Sequence, residues 1–305
     1  MTVIEIDAQQ EAAWAAEWSS RADIALQYDV RARVPAFDQV MAGWGERGAA
    51  TRATWADAGA WLDLRYGASA DETLDLFLPP PGDGAPPLLV FLHGGFWRRL
   101  HKNDFAWIAP PYVARGVAVA VVNFGLAPAT RLEEIVEQTR RSLAWLHQER
   151  ARFGYDAGRM VVSGHSAGGH LACMALATDW PQWRADLPAG LLAGGIALSP
   201  LADLAPLAQV PVLDAVVNFT PERIRLLSPV RHAPASAAPL LGAVGGEESE
   251  EFIRQLDLLA RTWPQVWRGQ VAMPGHDHLS LCEAFADPAS ALFSTALSLI
   301  EDVRS

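Results

Sequence analysis

The pattern of apolar and polar positions changes character along the chain. Residues 1–58 carry apolar residues at helical spacing, Ala-rich, with Trp14, Trp18, Trp44 and Trp55 set through them and a polar break at 28–35. No strand pattern occurs there, so this section is expected to be a helical extension that packs on a larger unit. From residue 61 the pattern shifts. Residues 61–66 and 73–78 alternate apolar and polar, as half-buried strands do. Continuous apolar runs then follow at 88–92, 117–122, 160–163, 194–198, 240–244 and 266–271. Such runs suit strands buried on both faces of a parallel sheet. Helical stretches are expected between them, at 104–115, 132–152, 171–178 and 249–263. Alternating strand and helix predicts a doubly wound, mostly parallel α/β sheet over residues 59–305. The irregular sections 180–189 and 203–232 are expected to lie over the carboxyl ends of the strands, where ligands bind in such sheets.

The run at 160–163 ends in Gly164-His165-Ser166-Ala167-Gly168. A strand, a sharp turn and a helix in that order force the central serine into a strained conformation with its hydroxyl above the sheet. A β-carbon at Gly164 or Gly168 would collide with the neighbouring chain. The start of the following helix aims free N–H groups at whatever Ser166 attacks. Upstream, His93-Gly94-Gly95-Phe96-Trp97 follows the strand at 88–92. Its glycines expose N–H groups, so Gly94, Gly95 and Ala167 are the candidate oxyanion donors. Phe96, Trp97 and His165 are the candidate substrate contacts.

A general base must come later in the chain. Pro274-Gly275-His276-Asp277-His278-Leu279-Ser280 follows the last strand. Ser280 and Glu283 form a capping-box pair, which predicts a helix after Ser280 and leaves His278 near its fixed end. His276 is the alternative. The third member is a carboxylate. Ser249 reads as a helix N-cap, which leaves Glu248 just outside the helix after the strand at 240–244. Glu247 and Asp203 are its rivals.

Here the residues resemble a known family. The His-Gly-Gly-x-Trp segment, the turn around Ser166 and the run Glu248-Ser249-Glu250-Glu251-Phe252-Ile253-Arg254-Gln255 are similar to those of the kynurenine formamidase (arylformamidase) group of α/β-hydrolases. Asp277-His278-Leu279 resembles the segment that holds that group's histidine. The match runs from about residue 28 to about 284. The resemblance implies an α/β-hydrolase fold and a Ser166–His278–Glu248 triad, with Glu248 and His278 picked over their rivals by register. Glu stands where the eukaryotic enzymes have Asp, and Phe96 where Tyr is common.

Composition narrows the partners. The chain has 305 residues, 50% hydrophobic, with 35 Asp+Glu against 24 Lys+Arg and a net charge of -11. That argues against nucleic acid as the main ligand. Cys173 and Cys282 are too few for a disulfide scaffold and read as buried thiols. His276 and His278 lack the further ligands a metal needs, and no cofactor is expected. No signal peptide or membrane span is read, so a cytoplasmic protein is expected. A homodimer is left open. The expected function is hydrolysis of a carboxylic ester or N-formyl amide of a small, aromatic-compatible substrate. The alternatives are a true N-formylkynurenine formamidase and, in another class, an idle hydrolase-fold protein that only binds.

Overall fold

A computed structural model describes residues 2–19, 21 and 23–303; positions 1, 20 and 22 of the expected extension and 304 and 305 of the expected catalytic unit lie outside the described residues. One sheet of eight strands dominates: β1 (Ala60–Arg65), β2 (Thr73–Phe77), β3 (Pro87–Leu92), β4 (Ala118–Val122), β5 (Asp156–His165), β6 (Gly194–Leu198), β7 (Leu240–Gly245) and β8 (Trp267–Met273). Their order is β1-β2-β4-β3-β5-β6-β7-β8. β2 pairs antiparallel with β1 and with β4, and all other pairs are parallel. The expected doubly wound α/β-hydrolase sheet is the observed one.

Burial follows the pattern of the sequence. Every residue of β3, β4, β6 and β7 is buried, whereas the edge strands β1 and β8 alternate. The central strands therefore carry unbroken apolar runs and the edges do not. Strand order reverses at β3, with β4 on one side and β5 on the other. The loops after β3 and β5 thus meet at the crevice where such sheets bind ligands.

Two helices differ from expectation. Residues 104–115 are a 3-10 helix (Lys102–Ile108) followed by a short α-helix (Ala109–Val113). Pro110 and Pro111 lack N–H groups, and proline is accommodated only in the first turn of an α-helix, so the helix restarts there. The helix after Ser166 runs from Ala167 to Leu176, so it starts four residues earlier and ends two residues earlier than the expected 171–178. Tight packing on β5 overrides the weak helix preference of Gly168 and Gly169.

Residues 2–58 carry helices and no strand, the longest helices being Ala8–Ser19 and Phe37–Trp55, among the described residues. Its tryptophans serve mainly to attach it. Trp14 is buried, and Trp44 packs on Phe105 and Trp107 at 5.2 and 5.6 Å while donating from Nε1 to Glu283 (3.0 Å). Trp55 meets Phe77 edge-on at 6.0 Å. Trp14, Tyr28, Val30 and Trp44 belong to the same hydrophobic core as the sheet. Beside them Lys102, fully buried, donates to Asp63 and Asp75 (both 2.6 Å), and Arg52 pairs with the same two carboxylates. Among the described residues, no helix is long and apolar enough to cross a membrane.

Candidate active site

The turn after β5 has the geometry that its glycines permit. Ser166 sits at φ 57°, ψ −117°, a conformation rare for a residue with a side chain. Its N–H donates to the Leu198 carbonyl (2.8 Å), and its own carbonyl accepts from His170 (3.0 Å). A β-carbon on Gly164 would lie 2.1 Å from the Gly168 oxygen, and one on Gly168 would lie 2.0 Å from the Leu92 oxygen. Only glycine fits either place.

The loop after β3 lies against this turn. A β-carbon on Gly94 would meet the Ser166 β-carbon at 3.2 Å. Gly95, Phe96 and Trp97 are all at positive φ (105°, 51° and 55°), so the loop curls tightly on itself. Among the described residues the Gly94 and Gly95 N–H groups meet no backbone acceptor. The Ala167 N–H, first in its helix, is one of the donors that no helix satisfies internally. His93, fully buried, stacks on Phe124 at 4.2 Å and donates from Nδ1 to the Gly94 carbonyl (2.9 Å). Burial lowers its pKa to about 4, so it shapes the loop as a neutral ring.

Glu248 follows β7 and directly precedes the N-cap Ser249, whose side chain accepts from the Phe252 N–H. Its Oε2 lies 2.6 Å from Nδ1 of His278. Its Oε1 accepts from the Ser199 hydroxyl (2.5 Å) and the Gly245 N–H (2.8 Å). Both Glu248 and His278 are buried, at 8% and 6% exposure, so this contact is shielded from water. With Nδ1 donating to the carboxylate, the Nε2 of His278 is the free ring nitrogen. His278, Ser166 and His165 line one cavity of about 600 Å³.

The rivals are placed elsewhere. Asp203 is buried and paired with Arg254 (3.2 Å), and its backbone is clamped by Gln255. Glu247 is exposed. His276 turns back to the Pro274 carbonyl at 3.1 Å. The helix after the His278 loop starts earlier than expected. Asp277 is its N-cap, accepting from Leu279 and Ser280, and His278 is its first residue. Ser280 is the reciprocal partner in that box and not the cap itself, because Asp277 also lies three residues before a hydroxyl that can reach back to its N–H.

Of the three candidate substrate contacts, Phe96 and His165 line the cavity and Trp97 does not. The left-handed backbone at Phe96 and Trp97 turns the indole under the loop, where it is fully buried against His170 (4.9 Å) and Phe219 (6.4 Å). His170 faces the interior, donating to the Leu227 carbonyl at 2.7 Å. His232 is also fully buried and donates to the Leu226 carbonyl (2.8 Å). Of the two irregular sections only the second reaches the cavity, through Val210 to Leu213. Section 180–189 follows a helix that returns the chain to the amino edge of the sheet, so it cannot cover the site.

The opposite wall comes from the extension, through residues such as Tyr28, Val30, Phe37 and Met41. Tyr28 anchors it. Its hydroxyl donates to Glu251 (2.8 Å) and accepts from Gln255 (2.8 Å), while Arg254 grips Glu251 through two nitrogens. The Tyr28 ring meets Phe252 edge-on at 5.7 Å, and Phe252 lies 4.4 Å from His278. Tyr28, Ser199 and the cavity-lining Arg98 and Arg99 were not singled out from sequence. Only the Ser199-Pro200 pair, at the carboxyl end of a strand, carried a local hint.

Comparison with known proteins agrees with this architecture. The BD-FAE family model matches residues 74–182. The chain is similar to kynurenine formamidase of Salmo salar, 30% identical over 241 residues, covering 74% of this chain and 77% of that one. The kynurenine formamidase of Danio rerio is 32% identical over 199 residues, 64% of this chain and 65% of that one. Among solved structures, a protein of Silicibacter sp. TM1040, provisionally described as a thioesterase, superposes with a TM-score of 0.80 at 27% identity, over 92% of this chain and 100% of that chain.

Proposed function

The chain belongs to the kynurenine formamidase-like group of α/β-hydrolases, and on that premise we propose that it cleaves an ester or N-formyl amide through Ser166, His278 and Glu248. The observation that carries the reading is the 2.6 Å contact of Glu248 with His278, beside a cavity that also holds Ser166. Ser166 attacks the carbonyl carbon while Nε2 of His278 takes its proton. The Gly94, Gly95 and Ala167 N–H groups hold the oxyanion. His278 then passes the proton to the leaving alcohol or amine, and an acyl-enzyme remains on Ser166. Water, deprotonated by the same nitrogen, releases the acid and restores the serine. Glu248 keeps the tautomer of His278 and stabilises its charged form throughout.

The cavity supports a small substrate. A cavity of about 600 Å³, walled in part by the apolar Phe96, Phe37, Met41 and Leu213, has room for an aryl group and a short acyl group. N-formylkynurenine is the first formamide to try, because the relatives from Salmo salar and Danio rerio carry that activity in their names. The test is hydrolysis of N-formylkynurenine beside p-nitrophenyl acetate and p-nitrophenyl palmitate, with Ser166→Ala as control. The variant is expected to lose about 10⁶-fold in turnover while staying folded. Substantial activity in Ser166→Ala, or a preference for palmitate, would overturn the reading.

A further inference from the structure

Ser199 is the first residue beyond β6 and is fully buried. Its hydroxyl donates to Oε1 of Glu248 at 2.5 Å, and the Gly245 N–H donates to the same oxygen at 2.8 Å. The other oxygen, Oε2, is left to His278. We infer that Ser199 is a positioning residue for the reaction, one that holds Glu248 in the orientation that serves His278; this rests on the triad reading above.

The need for such a residue follows from the acid being Glu. Its side chain has one more rotatable bond than Asp, so the carboxylate sweeps a wider arc. Two donors on one oxygen remove that freedom and leave one lone-pair face for the imidazole. A hydrogen bond to an ionised carboxylate is shorter and roughly twice as strong as a neutral one, so the clamp holds through the cycle.

The backbone of Ser199 points the same way. Its φ is +44°, in the left-handed region that non-glycine residues rarely occupy. Its N–H is fixed to the Ala243 carbonyl at 2.8 Å, so β7 imposes the conformation. Glycine would meet that backbone without strain. A serine there is a strained choice whose hydroxyl has one acceptor in view, the Glu248 carboxylate. Strain retained beside a reacting group is the pattern expected of a functional constraint.

The test uses Ser199→Gly in the full chain, which deletes the hydroxyl and relieves the backbone. Ser199→Ala deletes the hydroxyl and keeps the strain. Activity is measured on p-nitrophenyl acetate per active site, titrated with a fluorophosphonate. We expect kcat to fall about tenfold or more in both variants, the effect of one hydrogen bond to a charged group. KM should stay within about twofold, and the thermal midpoint of Ser199→Gly should equal or exceed that of the parent. Ser199→Cys, a weak donor, should recover part of kcat. The pair is then closed with Glu248→Gln. In that background Ser199→Gly should cost less than about threefold, because the clamped charge is gone. Unchanged kcat in Ser199→Gly and Ser199→Ala, or a full tenfold loss from Ser199→Gly on top of Glu248→Gln, would overturn the inference. If Glu248→Gln alone costs nothing, the triad reading fails and the Ser199 assignment falls with it.

Discussion

His165 donates from Nε2 to the main-chain carbonyl of His278 at 2.9 Å, and the two rings lie 4.4 Å apart. The residue before the nucleophile thus holds the backbone of the proposed base. Burial, and then the neighbouring His278, keep the pKa of His165 well below the usual histidine range. It therefore stays neutral while His278 takes and returns protons. His165→Leu, which removes the donor, is expected to lower kcat about tenfold. His165→Gln, which can still donate, should retain more. Steady-state kinetics on one ester decide it; equal loss in both would mean that ring packing matters and the hydrogen bond does not.

Glu248 and Asp203 should separate cleanly. Glu248→Gln keeps shape and removes charge, so turnover should drop by about 10⁴-fold with little change in stability. Asp203→Asn breaks a buried pair with Arg254, so it should cost about 3 kcal/mol of stability and leave kcat per folded molecule near the parent value. Urea titration beside active-site titration reads both. A larger turnover loss in Asp203→Asn would reverse the two roles.

Acid should destabilise the protein through its buried histidines. Burial lowers the pKa of His93 and of His170 to about 4. An unfolded histidine titrates at about 6.5, so between these values the unfolded state binds more protons than the folded one. Stability is then full above pH ~6.5 and falls as pH drops toward ~4. Urea midpoints measured from pH 7.5 to pH 4.5 check this. His170→Gln, which cannot take the proton, should flatten the slope; an unaltered slope would assign the acid sensitivity to other groups.

Arg98 and Arg99 line the cavity, and neither meets an ion-pair partner among the described residues. Nε of Arg98 is buried and meets no acceptor among the described residues. Two cations at the edge of the site should favour a substrate that carries a carboxylate. With 4-acetoxybenzoate and phenyl acetate as a matched pair, kcat/KM should be about fivefold to tenfold higher for the anion at low salt and converge with it at 0.5 M salt. Arg98→Gln should remove most of the difference. Equal rates in the parent at low salt would leave the arginines without a part in selection.

The two ends of the extension should behave differently. The helix Ala8–Ser19 contributes nothing to the cavity lining and is tied down by Glu17 to Arg261 and by Glu11 to Arg231. Deleting residues 1–19 should lower the thermal midpoint by a few degrees with KM unchanged. Tyr28→Phe removes the hydroxyl from a buried network and should raise KM several-fold by loosening the wall. A raised KM in the deletion would place the first helix in the binding wall as well.

The strands were legible because burial on both faces leaves an unbroken apolar record, as in β3 and β4. The turn at Ser166 was legible because two glycines are sterically obligatory there. The place of Glu248 just outside a helix was legible through local chemistry, since Ser249 reads as the cap of the next helix, but its choice over Glu247 and Asp203 came from the family resemblance. The remaining features depend on contacts far apart in sequence. Asp277 and Ser280 are both cap formers, and only the fold decides which one caps. Trp97 reads as a wall residue until the positive φ values ahead of it turn the indole inward. Ser199 and Glu248 are separated by 49 positions, and no periodicity links a hydroxyl after β6 to a carboxylate after β7. His232 lies in a segment without strand or helix periodicity, yet its carbonyl accepts from the Trp263 indole at 2.7 Å.

The bond from Tyr28 to Glu251 limits how this enzyme can be recast for new substrates. Glu251 is fully buried, three residues past Glu248 in the first turn of the following helix, and draws part of its solvation from a residue of the binding wall. Exchanging residues 24–44 wholesale for a foreign segment would leave that carboxylate short of a donor, next to the group that orients His278. A graft of this kind succeeds only if the incoming segment brings a phenol or an equivalent donor to the same point. Selectivity is more safely altered by point changes at Phe37, Met41 and Leu213, which face the cavity and take no part in that network.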